Sequence, residues 1–487
     1  METGGDQVKV SRRIVSALLV CACGTLCAVG GELKVGFGRV DITPPLGIKL
    51  AGYFRERVSD GVLDPLEANA VAFSDGERTA VLVSIDNISL RAYFTLFRKR
   101  VADATGLPQE AVFLATTHIH TGPLLIRRAG KSHGEDAEDF ADANEHCKDL
   151  CDKVVAVAKA AIGDLAPATL SIARSRAPGI SFVRRYRMKD GSVRTAPKID
   201  DPNIESPVGE PDSAVQVVRI DRAGRDTVAV VNFQCHPDTI GGTKISADWP
   251  GVVRRTLERS LDGVKCVFVN GAQGDTNQHM CKDQGFARPA ERILMHQYMG
   301  HRIAGAVLGV WDVCKPIGSG DVRFLIQRVR IPSNRPKPEE MPEARRIVKL
   351  YSENPRSKEI PGKSMERNAN IADARRKVRL ENGPDFFEAP ISILCVGKDL
   401  AFVGFPGEPF TEYGRAVKAK SPFGMTVPMC LTNGHFGYLP TDEALGDTTS
   451  YESRGSIFRS GLEALMVGES VKALNDLVKQ QSNMTKE

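Results

Sequence analysis

Short apolar runs bounded by turn-forming residues recur along the chain, and each run predicts a β-strand. Two pairs of runs are joined by short turns that contain Asp and Gly, and such pairs predict hairpins. The predicted strands are residues 36–45, 68–73, 79–85, 112–116, 214–219, 227–233, 264–269 and 399–405, the first running into a Pro-Pro turn.

Four other segments repeat their apolar residues with the helical period, which predicts helices over residues 137–162, 252–261, 288–308 and 462–478. This mixture of hairpins and helices predicts an α/β or mixed α+β fold, built as one large domain over residues 31–487. Residues 332–382 are heavily charged and contain helix-like stretches, so we expect a solvent-facing helical excursion there.

Residues 1–30 have the basic, apolar and small-residue order of a secretory signal peptide. Basic residues between positions 9 and 13 precede an apolar run over 14–29, and Ala28 and Gly30 fit the small positions before a cleavage site. This run is shorter than the roughly 20 residues of a membrane-spanning helix. Cleavage is therefore favoured over a retained or lipid-modified anchor, and we expect an exported protein, periplasmic or extracellular.

Cysteine usage agrees with export without fixing a disulfide pattern. Eight of the eleven cysteines follow residue 30, and an even number in an exported chain permits disulfides. Their wide spacing is unlike that of a small disulfide-stapled fold or a zinc ribbon. We expect some of them to be buried as small apolar side chains.

Charge and aromatic content argue against a nucleic-acid partner. The formal net charge is only +5 over 487 residues, without a dense Lys/Arg block, and the chain has 8 Tyr and 2 Trp. No segment after residue 30 is apolar enough to span a bilayer. The sequence therefore favours a small-molecule or lipid substrate, with peripheral membrane contact left open.

The first candidate metal ligands are in Thr-Thr-His-Ile-His-Thr-Gly-Pro, residues 116–123, which follow a predicted strand. His118 and His120 are two residues apart, so on an extended segment both side chains point the same way. A neutral imidazole nitrogen is a common zinc ligand. The alternative is a pair of hydrogen-bonded structural histidines, and the strand and Gly-Pro around them favour the metal site.

Three more candidates follow other predicted strands. His236 comes after the strand at 227–233, and a catalytic zinc usually has three protein ligands and one open position. Glu408, in Phe-Pro-Gly-Glu-Pro, completes such a site or else begins a helix. Asp275 follows Gly274, a residue that permits close backbone approach, and it can carry a proton, orient a ligand or cap a helix.

Two tyrosines complete the candidate set. Tyr438 ends the Gly-rich segment Asn-Gly-His-Phe-Gly-Tyr, and Tyr451 follows a short polar loop and precedes a glutamate. A tyrosine hydroxyl in such a loop can donate to a developing oxyanion. The alternative is that both are amphipathic residues at the rim of a site.

Taken in order, these motifs resemble those of the neutral/alkaline, non-lysosomal ceramidases, from about Val35 to about Phe458. The shared order is ITPP, THIHTGP, a strand-end histidine, NGAQGD, FPGE, and NGHFGY with a later YE. The resemblance implies a single catalytic α/β domain centred on a buried zinc ion at strand ends. It also implies hydrolysis of an N-acyl amide bond, as in a lipid.

The same resemblance implies a role for each candidate. The zinc ligands would be His118, His236, Glu408 and Tyr438, with one ion per chain. His120 and Tyr451 would contact the scissile amide or its oxyanion. For the mechanism itself, we expect His120 or Asp275 to pass the proton to the leaving amine. The active-site arginine would be Arg184, with Arg185 as the one-residue alternative.

Two features depart from that family. Its Gly-Asp motif continues with a hydrophobic residue, Ser and Pro, and that serine has been proposed as the nucleophile. Here Gly274 and Asp275 are followed by Thr276 and Asn277, so Asn277 stands where the serine would be. We expect Gly274, Thr276 and Asn277 to contact the substrate. We also expect the family's additional C-terminal β-sandwich domain to be absent, because the chain ends at residue 487 in a helical pattern.

The sequence thus predicts a zinc-dependent amidohydrolase that cleaves an N-acyl bond with metal-activated water. A zinc esterase or amidase of a soluble substrate is one alternative. A non-catalytic binding protein on the same scaffold is the other. The sequence does not predict the acyl length, head group, disulfide pairing or oligomeric state.

Overall fold

The computed structural model describes residues 1, 32–125, 137–141, 143–283, 285–288, 294–318 and 320–484. The predicted signal segment therefore lies outside the described residues, apart from Met1. Within the described part of the chain, no helix is both long and apolar enough to cross a membrane.

The strands are β1 (Lys34–Asp41), β2 (Gly61–Val62), β3 (Glu67–Ser74), β4 (Thr79–Ile85), β5 (Val112–Thr116), β6 (Ala166–Arg176), β7 (Phe182–Val183), β8 (Arg185–Met188), β9 (Val193–Thr195), β10 (Ile204–Pro207), β11 (Ala214–Arg222), β12 (Thr227–Phe233), β13 (Lys244–Ile245), β14 (Val264–Asn270), β15 (Thr276–Asn277), β16 (Lys315–Pro316), β17 (Val322–Pro332), β18 (Phe386–Val396), β19 (Leu400–Gly404), β20 (Glu408–Pro409), β21 (Met425–Met429) and β22 (Tyr438–Leu439).

The helices are α1 (Phe94–Thr105), α2 (Glu145–Gly163), α3 (Asp248–Ser260), α4 (Met295–Leu308), α5 (Met341–Glu353), α6 (Ser364–Leu380), α7 (Thr411–Lys420), α8 (Asp442–Gly446), α9 (Tyr451–Gly455) and α10 (Leu462–Met484).

Two sheets stacked face to face form the centre of the fold. The larger sheet has the strand order β14-β12-β11-β6-β1-β3-β4-β5, with β16 paired to β6, and the smaller sheet is β17-β18-β19-β21. Three neighbouring pairs are parallel, namely β4–β5, β12–β14 and β19–β21. The carboxyl ends of the strands in each parallel pair therefore lie at the same edge of their sheet.

Alternation of side chains along each strand divides the core into layers. In β4, for example, Val81 and Val83 pack with α1 and α2, whereas Leu82 faces the second sheet. Helices α3 and α4 cover the other half of the same outer face, and α7 and α10 cover the outer face of the smaller sheet. The result is a helix–sheet–sheet–helix stack, which confirms the predicted mixed α/β fold.

Most predicted elements are present, with shifts at their ends. The strands predicted at 79–85, 112–116 and 227–233 begin and end as expected. The helix predicted from residue 137 begins instead at Glu145, because Asn144 is extended and its side chain donates to the Leu124 carbonyl. The helix predicted from residue 288 begins at Met295. The eight cysteines from Cys147 to Cys430 are free thiols, and all but Cys314 are buried.

The charged segment 332–382 contains α5 and α6, which pack on each other. Their apolar cluster includes Ile347, Ile360 and Ile371, and α6 also packs against α9. This hairpin therefore lies against the loops at the strand ends, in addition to facing solvent as the sequence predicts.

One buried asparagine joins loops that follow three strands of the larger sheet. Asn270, at the end of β14, donates through Nδ2 to the carbonyls of Thr117 and Cys235, each at 3.1 Å. Its own carbonyl accepts from the amide of Cys430, which follows β21 of the smaller sheet, at 2.9 Å. The carboxyl ends of strands from both sheets thus meet at one place.

A buried ion pair between α3 and the residue that follows β4 lies at the same edge of the larger sheet. Arg254 of α3 donates to both carboxylate oxygens of Asp86, which directly follows β4, and Thr117 donates to Asp86 at 3.1 Å. Arg254 also lies 3.1 Å from Glu67. Both members of the Arg254–Asp86 pair are almost fully buried, so neither charge is compensated by water.

We expect Arg254→Met to lower the free energy of unfolding by about 3–5 kcal/mol, because it leaves the Asp86 carboxylate buried without its cation. Urea unfolding followed by circular dichroism measures this loss. The neighbouring Arg255→Met is the matched control, since Arg255 is partly exposed and its pair with Asp64 is worth about 1 kcal/mol or less. Equal losses in the two variants would show that the buried Arg254–Asp86 pair stabilises the fold no more than the partly exposed Arg255–Asp64 pair.

Candidate metal centre

Three histidines meet where the strands of the larger sheet end. His118 and His120 follow β5, and His236 follows β12. One ring nitrogen from each lies within 4.8 Å of those of the other two. The ring of His118 lies 4.9 Å from that of His120 and 4.8 Å from that of His236, centroid to centroid. His120 is therefore as close to the cluster as the two histidines that the sequence predicts to be ligands.

Glu408 brings a carboxylate from the smaller sheet to the same point. Its Oε2 atom lies 3.2 Å from Nε2 of His118 and 3.2 Å from Nε2 of His236. The backbone beside it is crowded, because a Cβ on Gly274 would lie 2.3 Å from the Glu408 carbonyl oxygen. Glycine is thus required at 274 for the approach of these two loops.

Backbone carbonyls fix which ring nitrogen of each predicted ligand faces the centre. Nδ1 of His118 lies 2.9 Å from the Ile88 carbonyl, and Nδ1 of His236 lies 3.0 Å from the carbonyls of Gln273 and Thr276. Donation from Nδ1 leaves the lone pair on Nε2, which faces Glu408. His118 adopts a left-handed backbone with φ of 70°, a conformation that is costly for a residue with a Cβ.

Electrostatics favour a neutral His120 and a neutral His236 beside an ionised Glu408. Burial, followed by the charge on His118, lowers the pKa of His120, and burial with the charge on Arg184 lowers that of His236. Burial by itself would raise the pKa of Glu408, but His118 and His236 outweigh it and hold that pKa well below its usual range. Neutral imidazole and ionised carboxylate are the protonation states that bind a metal cation.

Besides their protonation states, these side chains fit a metal ion because two of their buried polar atoms are unpaired. His236 Nε2 and Glu408 Oε2 are buried and have no hydrogen-bond partner of good geometry, although they lie 3.2 Å apart. Leaving such atoms unpaired costs about 1–3 kcal/mol each. A cation between them would satisfy both atoms, and imidazole nitrogen with carboxylate oxygen is a common combination in zinc sites.

The two candidate tyrosines lie beside this cluster. Tyr438 pairs with Glu408 through the β20–β22 ladder, and its ring stacks on His236 at 6.4 Å between centroids. The ring of Tyr451 lies 5.5 Å from that of Tyr438. Burial and the charge on Glu408 raise the pKa of both hydroxyls, so both are protonated donors near neutral pH.

The structure distinguishes the two neighbouring arginines. Arg184 is buried, and its Cζ atom lies 5.4 Å from the centre of the Tyr438 ring. It also donates to Glu452 at 2.6 Å and to the Gly274 carbonyl at 3.0 Å. Arg185 points to Asp447 and Phe410 instead. Arg184 is therefore the arginine that lies beside the cluster.

The side chains after Gly274 are held by the protein itself. Asp275 accepts from the amide and hydroxyl of Thr411, at 2.9 and 2.8 Å, and so stabilises the start of α7. The Thr276 hydroxyl donates to the Gln273 carbonyl, and Asn277 accepts from the His279 amide. Substrate contact by these residues stays a prediction.

The loop that encloses His120 was not predicted from the sequence. The Tyr53 hydroxyl donates to Asp238, and Asp238 lies 3.6 Å from Nδ1 of His120. Arg57 donates to the His120 carbonyl and lies 4.0 Å above the Tyr53 ring. No periodic pattern marks this loop. The only feature of the sequence that could have indicated Asp238 is its position two residues after His236.

Comparison with known proteins gives a likeness of fold. Neither a family model nor a curated protein matches the chain. The chain is similar to the crystal structure of neutral ceramidase from Pseudomonas aeruginosa, with a TM-score of 0.65 and 17% identity over 91% of this chain and 75% of that one. A ceramidase complexed with C2 gives a TM-score of 0.66 and 16% identity over 92% and 76% of the two chains. The chain therefore has the fold of the neutral ceramidases.

Proposed function

We propose that this protein is a zinc-dependent amidohydrolase that cleaves an N-acyl amide bond, as the ceramidases that share its fold do. The observation that carries the proposal is the convergence of His118, His236 and Glu408 on one buried point, with the rings of Tyr438 and Tyr451 alongside. A structural histidine pair would not need a buried carboxylate aimed at both rings.

In this proposal His118, His236, Glu408 and Tyr438 hold one zinc ion per chain. When bound, zinc supplies a Lewis acid that polarises the scissile carbonyl and lowers the pKa of water toward about 7. The backbone carbonyls behind His118 and His236 keep both rings oriented for this purpose.

Tyr451, Arg184 and His120 have separate roles in cleavage of the amide. Tyr451 donates to the oxyanion that forms on the carbonyl, and Arg184 holds Tyr438 and the Gly274 backbone in place. His120, neutral and 3.4 Å from His118 between ring nitrogens, accepts and returns the proton that the leaving amine requires. We assign this transfer to His120 rather than Asp275, because Asp275 is committed to Thr411.

The surface beside the cluster suits a substrate with an apolar part. The rings of Tyr438, Tyr451, Phe54 and Tyr351 form a continuous row, with centroid separations of 5.5, 6.0 and 6.4 Å. An acyl chain could lie along such a row and bury apolar surface there. We further propose that the protein is exported, on the strength of its N-terminal sequence alone.

We expect the purified protein to contain about one zinc ion per chain. Mass spectrometry of its metal content measures this. The variant His236→Ala should lose most of that zinc and all hydrolysis of N-acyl lipids. His301→Ala, on the exposed face of α4, should retain both and serves as the control. Full zinc and full activity in His236→Ala would refute the ligand assignment.

The variant Tyr451→Phe should lower kcat by about 100-fold, since one oxyanion donor is typically worth about 3 kcal/mol. Its zinc content and KM should change little, because only the hydroxyl is removed. Tyr298→Phe on α4 is the control for loss of a tyrosine hydroxyl remote from the site. An unchanged kcat in Tyr451→Phe would remove Tyr451 from the mechanism.

The variants Thr276→Ala and Thr276→Val should keep zinc and lose less than about threefold in kcat, because only the backbone of Thr276 is used, to orient His236. Steady-state kinetics on an N-acyl amide measures this. Loss of all activity with zinc retained would instead point to the Thr276 hydroxyl as a nucleophile.

A further inference from the structure

His120 differs from the other two histidines of the metal centre in the group that lies beside its Nδ1 atom. Backbone carbonyls lie beside Nδ1 of His118 and of His236. The Nδ1 atom of His120 is buried and has no hydrogen-bond partner among the described residues. Beside it, at 3.6 Å, lies Oδ1 of Asp238. Hydrogen bonds of functional groups are often this long without substrate and shorten once it is bound.

The carboxylate of Asp238 is held in this position by neighbouring segments. The Tyr53 hydroxyl donates to the same Oδ1 atom, and Gln278 donates through Nε2 to the Asp238 backbone carbonyl at 2.8 Å. The next residue is fixed as well, because Asp248 accepts from both the amide and the hydroxyl of Thr239. Asp238 therefore has the support that a side chain needs in order to orient another one.

The segment that carries Tyr53 also packs directly on the ring of His120. The two rings meet edge to face, with 5.9 Å between their centroids. Gly52 has φ of 105°, and a Cβ on it would lie 2.8 Å from Nδ1 of His120, so glycine is required there. Arg57 donates to the carbonyls of Ala51 and His120 and so connects the segment to the histidine.

These contacts decide which ring nitrogen of His120 carries the proton. A proton on Nε2 would leave the lone pair of Nδ1 facing the carboxylate oxygen of Asp238, and two acceptors that face each other repel. A proton on Nδ1 gives Asp238 a donor and turns the Nε2 lone pair toward Nε2 of His118, 3.4 Å away. In the proposed function that nitrogen of His118 binds zinc, so it has no lone pair left for a proton from His120.

We infer that Asp238 is a positioning residue for His120, whose Nδ1 proton its carboxylate accepts while the Tyr53 hydroxyl holds the carboxylate in place. The ring of His120 is then fixed with the Nε2 lone pair toward the metal centre, which is the state in which it accepts a proton. The inference rests on the proposed amidohydrolase function, and it adds to that function two side chains that no sequence motif indicated.

Nitrogen NMR of the zinc-loaded protein with isotope-labelled histidine measures the tautomer of His120 without turnover, and His120→Gln identifies its signals. We expect the proton on Nδ1 in the wild type. Asp238→Ala should move it wholly or partly to Nε2, because histidine without an acceptor at Nδ1 favours that tautomer. A wild-type proton on Nε2, or an Nδ1 proton that stays in Asp238→Ala, would overturn the inference.

Asp238→Ala should lower kcat by about 10- to 100-fold, the usual cost of losing a partner that orients a functional histidine. KM and zinc content should change less than about threefold, because the zinc ligands keep their own partners. Asp238→Asn should recover part of the loss, since its amide oxygen can accept from both His120 and Tyr53. Asp60→Asn, which removes an exposed carboxylate paired with Lys244, is the control.

A double-mutant cycle separates positioning from a general effect on the fold. In the His120→Gln background, Asp238→Ala should cause no further loss of activity, because there is no imidazole left to orient. The milder variant Tyr53→Phe should shift the His120 proton in the same direction and lower kcat by a smaller factor. Equal losses from Asp238→Ala with and without His120 would refute the positioning role.

The NMR measurement also separates this inference from the proposed function. If the tautomer of His120 depends on Asp238 but the wild type cleaves no amide, the positioning stands and the amidohydrolase proposal fails. If amides are cleaved and the tautomer is the same with and without the Asp238 carboxylate, the inference alone fails.

Discussion

The structure depends on one costly arrangement, a glutamate carboxylate buried among imidazole rings. Glu408 is almost fully buried, and its Oε2 atom faces the Nε2 atoms of His118 and His236, whose Nδ1 atoms lie against backbone carbonyls. A buried anion is tolerated only with a cation or with hydrogen bonds that compensate it. His118 and His236 supply this compensation and hold the pKa of Glu408 well below its usual range, and a metal cation bound between the same atoms would compensate the carboxylate in the same way.

The rest of the fold holds Oε2 of Glu408 at 3.2 Å from each of the two ring nitrogens. Asn270 joins the loops that carry His118 and His236, and Gly274 lets the Glu408 backbone approach from the smaller sheet. The Arg254–Asp86 pair fixes the end of β4 beneath them. A metal centre assembled from two sheets needs such ties, because small displacements at strand ends would separate the ligand atoms.

The sequence predicts the parts of this protein that depend on local pattern. Strands with clear apolar runs, and the polar residues that follow them, led directly to His118, His236 and Glu408. Contacts between remote segments left no such pattern, which is why Asp238, Tyr53 and Arg57 were missed around His120.

The segment after Gly274 lies beside the metal centre, but its side chains form hydrogen bonds that stabilise the local structure. Asp275 holds the start of α7, and the Thr276 hydroxyl and the Asn277 amide are bonded to nearby backbone. This segment contributes its backbone to the metal centre. The Gln273 and Thr276 carbonyls orient His236, and Gly274 leaves room for the backbone of Glu408. Asparagine in place of the serine is compatible with such a role, because a backbone carbonyl is the same in every residue.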